Sequence, residues 1–126
     1  MDISCIQPKI APVLQPSLNV LMCASPLPQL EKANGGFDEW NWPNQLWFIF
    51  VSSNATDWDA TLQMFLGEAM VYEGTLSCMF GAHNGWVHIV DEDVLVPATE
   101  FSYTLTVSKD GYSDYVENDV YTTPVT

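Results

Sequence analysis

The 126-residue chain has no arginine and only three lysines, Lys9, Lys32 and Lys109. With so few cations to neutralise phosphates it is not equipped to bind DNA, RNA or an anionic membrane surface. Arginine-dependent recognition of phosphate or carboxylate groups is excluded with them. Cysteine is scarce as well. Cys5, Cys23 and Cys78 form no CxxC pair, and an odd count at wide spacing is neither a disulfide framework nor a zinc site. Free thiols in a chain made in a reducing compartment are expected. No apolar run approaches the ~18 residues of a membrane span. A signal-peptide pattern is missing too: Asp2 follows Met1, no basic stretch precedes an apolar one, and Pro8, Pro12 and Pro16 interrupt any apolar helix. The expectation is a soluble chain made in the cytoplasm.

Reactive motifs are equally sparse. No serine sits in a GxSxG elbow, Cys78 has no base nearby in sequence, and Gly35-Gly36 lacks the rest of a phosphate loop. An enzyme is therefore the last reading to adopt, and no cofactor is expected.

What the chain does have is 48% hydrophobic and 13% aromatic residues beside 16 acids, for a net charge of −13. That apolar fraction separates it from disordered chains and suffices for one domain with a core. The charge is unevenly distributed. Residues 1–30 hold one acid and one base, whereas residues 31–126 hold 15 acids and two lysines. Five of the eight prolines fall within the first 28 residues. Residues 1–34 accordingly read as an extended N-terminal arm, with Asn34-Gly35-Gly36 as a flexible junction to a body over 35–126.

The arm is apolar, unlike an ordinary polar tail. Ile3, Ile6, Ile10, Val13, Leu14, Leu18, Val20 and Leu21 lie between its prolines, which hold the chain extended. Such a segment needs a surface: its own domain as an edge strand, or another chain. These eight residues are the candidate partner contacts, together with Trp40 and Trp42 in the following Trp-Asn-Trp-Pro stretch.

The body reads as β. Residues 45–53 form an apolar run suited to a central strand, with Trp47 and Ile49 expected in the core. Residues 61–66 and 70–80 form strands around Gly67-Glu68, although Leu62, Phe65, Leu66 and Ala69 also fit a helix over 59–73. Asn84-Gly85 between apolar runs predicts a two-residue hairpin turn flanked by His83 and His88. Over Phe101–Ser108, apolar and hydroxyl side chains alternate strictly, as on a half-buried antiparallel strand. Lys109-Asp110-Gly111 predicts a turn, and residues 119–123 a last strand. The layout is all-β, an antiparallel β-sandwich.

Leu95-Val-Pro97-Ala-Thr99-Glu-Phe101, running into that alternating strand, resembles the Leu-x-Pro-x-Thr-x-Tyr stretch of fibronectin type III domains. Lys109–Ser113 and Val120–Pro124 resemble that family's F–G turn and terminal Thr-Pro. The resemblance covers residues 94–124 and implies an immunoglobulin-like sandwich in which 95–101 lead from strand E to strand F. Phe101 replaces the family's corner tyrosine, and Trp47 is the candidate for its early-strand tryptophan. The architecture implies no activity of its own.

Carboxylates cluster at Asp91-Glu92-Asp93, where solvated loop charge and a calcium site are both open. Trp40, Trp42 and Trp58 either cap the sandwich or form a surface for sugars or proteins. Asn54-Ala55-Thr56 is a formal glycosylation triplet.

Three functions compete. The first is a non-enzymatic virion protein, a bacteriophage capsid decoration or cement protein whose arm grips the major capsid protein or another virion protein in many copies. It follows from the compact body and apolar arm, and from the analogy with small immunoglobulin-like domains on tailed-phage heads and tails. The second is a carbohydrate-binding adhesion module using Trp40, Trp42 or Trp58. The third is an acidic DNA mimic, which accounts for the charge but not for the arm or for a charged fraction of only 15%.

Overall fold

The computed structural model describes residues 26–41 and 45–125. Among them run seven strands: β1 (Lys32–Asn41), β2 (Gln45–Ser52), β3 (Asp59–Leu66), β4 (Ala69–Ser77), β5 (Asn84–Ile89), β6 (Glu100–Ser108) and β7 (Tyr115–Thr122). They pair antiparallel into two sheets, ordered β1-β2-β5 and β4-β3-β6-β7.

The core lies between the sheets. Leu46, Phe48 and Phe50 of β2 and Ile89 of β5 pack with Leu62 and Met64 of β3 and with Phe101, Tyr103, Leu105 and Val107 of β6. Each such side chain contributes about 1.5–3 kcal/mol of transfer free energy. Phe37 of β1 joins the layers, with its ring 4.8 Å from Phe48, 5.3 Å from Tyr103 and 4.5 Å from Tyr121. The alternation expected over Phe101–Ser108 is observed. Residues 59–73 form the β3–β4 hairpin and not a helix, with Gly67 at φ 64 in its turn.

Three expectations need correction. Asn34, Gly35 and Gly36 are no flexible junction; they lie within β1. A Cβ at Gly35 would strike the Ile49 carbonyl, so glycine is there to let the two strands approach. Asn84-Gly85 is not a hairpin turn but the start of β5. The chain turns earlier, where Ala82 N donates to Met79 O and Phe80 and Gly81 take positive φ. Gly85 is buried, and a Cβ there would meet the Ser77 carbonyl and the Trp58 ring. Trp47 and Ile49 face outward, since β2 buries the opposite parity, Leu46, Phe48, Phe50 and Ser52. The tryptophan of the core is Trp58, only 1% exposed and edge-on to Phe50 at 5.0 Å.

Candidate functional site

The body begins before β1. Leu30 is 1% exposed and belongs to the core, and Gln29 bridges Ser113 in parallel. The Pro28 carbonyl accepts from Ser113 N at 3.0 Å, and Gln29 Nε2 donates to the Asp114 carbonyl at 3.1 Å. Asn54 closes the clamp from the other side. Its Nδ2 donates to the Gln29 carbonyl at 2.7 Å and its Oδ1 accepts from Glu31 N at 3.1 Å. The amide of the glycosylation triplet is thus engaged in holding the chain where it enters the sandwich.

The candidate contacts Ile3, Ile6, Ile10, Val13, Leu14, Leu18, Val20 and Leu21 lie outside the described residues, as does Trp42. Trp40 is described. It pairs with Leu46 and packs half-buried against the core. Trp58, proposed from sequence as a sugar platform, is buried and cannot serve as one.

The exposed aromatic surface lies instead on the outer face of the β1-β2-β5 sheet. Trp47 and His88 stack at 4.1 Å with 6° between their planes, and Trp86 meets Trp47 edge-on at 6.1 Å. Sequence reasoning missed this group because residues 46–51 are apolar at both parities, which leaves the strand's phase unreadable. The signal lay in β5, where Trp86 and His88 share one parity.

Carboxylates gather in two places. Asp91 Oδ1 accepts from Asp93 N at 2.9 Å, so the 91–93 cluster is a loop turn held by its own backbone. Among the described residues, no group of three or more His, Cys, Asp and Glu side chains is placed to hold a metal ion. Asp57, Asp59, Asp110 and Asp114 line an open cleft of about 390 Å³ with Lys109 and Tyr112. His83 precedes β5 and His88 lies within it, so the two follow one another along the chain and do not face across a hairpin. The Cys78 thiol is pushed up by burial, although its Sγ accepts from Trp58 N at 3.2 Å.

A half-buried acid had no sequence signal of its own. Glu117 on β7 accepts from Lys32 Nζ at 2.7 Å, from the Tyr115 hydroxyl at 2.8 Å and from the Tyr103 hydroxyl at 2.6 Å. Burial and the Glu117 hydrogen bond push Tyr115 up to about 12, and the same causes raise Tyr103 further.

Comparison with family models, with curated proteins and with solved structures finds no match to this chain. Among the described residues no helix is long and apolar enough to cross a membrane.

Proposed function

We propose that the chain is a non-enzymatic structural module of a virus particle. In this reading it is an immunoglobulin-like sandwich of the fibronectin type III kind, acting as a phage capsid decoration or cement protein. Its N-terminal arm grips the major capsid protein or another virion protein, with many copies on each particle.

The observation that carries this reading is the clamped junction. A net-neutral, proline-punctuated apolar segment meets an acidic body at a fixed point, through Leu30 in the core and the Gln29–Ser113 and Gln29–Asn54 contacts. Residues 28–31 are thus fixed to the body where the arm would join it. Acidic bodies repel one another and stay soluble when crowded, while many weak contacts across a lattice add avidity.

Strand order supports the finer fold. With β1, β2 and β5 as strands A, B and E, and β3, β6 and β7 as C, F and G, the fourth strand β4 lies beside C. An immunoglobulin constant domain carries its fourth strand beside E. Residues 95–101 lead β5 into β6, as the resemblance implies. The two resembling segments are also bonded to each other: Thr99 N donates to Thr123 Oγ1 at 2.9 Å, and Thr123 Oγ1 donates to the Val96 carbonyl at 2.6 Å. The test compares particle attachment of the full chain with that of a version beginning at Pro26.

A further inference from the structure

We infer that the outer face of the β1-β2-β5 sheet binds a neutral saccharide. Strand register sets its side chains in rows: Glu39, Trp47 and His88 in one, Gly36, Ile49 and Trp86 in the next. The rings hold one another in place. Trp47 stacks on His88, Trp86 abuts Trp47, and Gln45 Oε1 lies 3.1 Å from His88 Nε2. Side chains fixed in this way lose little freedom when a ligand arrives. Trp86 is 38% exposed on a sheet whose inner face is already packed, so this aromatic area is surplus to the core.

Beside the ridge lies a notch. Gly36 has φ +131, and no heavy atom lies within 4 Å of where its Cβ would stand. The space, about 150 Å³, is bounded by Asn34, Asp38 and Ile49. A drug-sized ligand fills roughly 300–1,000 Å³, so the notch admits one edge of a ligand while the remainder lies on the ridge.

The chemistry of the surface selects the class. Trp47 gives one ring face to His88, and the exposed indole of Trp86, apolar in body with a polar N–H, suits a half-polar ligand such as a sugar ring with its C–H face. Glu39, Gln45, Asn34 and His88 offer donors and acceptors for hydroxyls. Glu39, Asp38 and the net charge of −13 turn away anionic sugars. Glu39 and Asp38 stand on the β1 side of the three rings, so a cationic ligand would find counter-charge only at that margin. A second copy would bring another acidic body against this one.

The experiment titrates the full chain by calorimetry with short neutral oligomers of glucose, galactose, mannose and N-acetylglucosamine. At least one of them should bind saturably. Trp86→Ala should weaken that binding about three- to tenfold while leaving the circular-dichroism spectrum unchanged, and Trp47→Ala should weaken it similarly. The version beginning at Pro26 should bind as the full chain does, so failure here is distinguishable from failure of the anchoring reading. The inference is overturned if none of the four oligomers binds, if binding survives both substitutions, or if the face proves to mediate a dimer that Trp86→Ala dissolves.

Discussion

Tyr103 donates its hydroxyl to Glu117 Oε2 at 2.6 Å, from β6 to the neighbouring edge strand β7. The other oxygen of the same carboxylate takes Lys32 Nζ from β1, so one acid joins the first strand to the last across both sheets. A charge turned inward on an edge strand also discourages pairing with foreign strands.

Burial alone would raise the Glu117 carboxyl, but the hydrogen bonds from Lys32, Tyr103 and Tyr115 outweigh it and hold the group below its ordinary value. A lowered carboxyl stabilises the fold fully above its ordinary pKa, and the contribution is lost as pH falls through the folded value. Glu117→Gln should cost about 1–2 kcal/mol at neutral pH, read by urea denaturation, and the gap to wild type should close in acid. Tyr115, raised from 10.0 to about 12, works in the opposite sense. Its contribution is complete below the ordinary value and is lost as pH rises through the folded one. A Glu117→Gln gap that persists undiminished in acid would contradict this account.

Gly85→Ala should destabilise the fold by about 1–3 kcal/mol as an overpacking change, because its Cβ meets the Ser77 backbone and the Trp58 ring. Asn84→Ala, on the half-buried outer side of β5, should cost clearly less. Thermal unfolding of the two variants separates close packing from turn chemistry: if Asn84 matters as much as Gly85, the packing explanation fails.

Phe101→Tyr examines the fibronectin-like resemblance. Phe101 is buried at the start of β6, where that family has its corner tyrosine. In such a corner the added hydroxyl finds a backbone acceptor, and stability should be unchanged or improved. A loss of about 1–3 kcal/mol, the cost of a buried hydroxyl without a partner, would argue for a different corner.

Legibility followed the clarity of the period. The strict alternation over Phe101–Ser108 revealed β6, and Gly67-Glu68 revealed the β3–β4 hairpin. In β2 both parities are apolar, so the strand could be recognised but not its phase, and Trp47 was assigned to the wrong face. Gly35 and Gly85 look in sequence like hinge and turn residues. Both are instead places where a backbone passes too close for a Cβ, which depends on long-range pairing that no local pattern contains. The same holds for Lys32 and Glu117, which are 85 residues apart.

The structure also moves the boundary at which the arm can be removed. Cutting at residue 30 would take Leu30 from the core, so the informative deletion stops before Pro26. The full chain and the version beginning at Pro26 should be mixed separately with virus particles from the chain's own source and sedimented together. The account predicts that the full chain travels with the particle at low and high salt, as an apolar grip would. The shortened chain should stay folded by circular dichroism and remain at the top of the gradient. Equal binding by the shortened chain, or no binding by the full chain, would contradict anchoring through the arm.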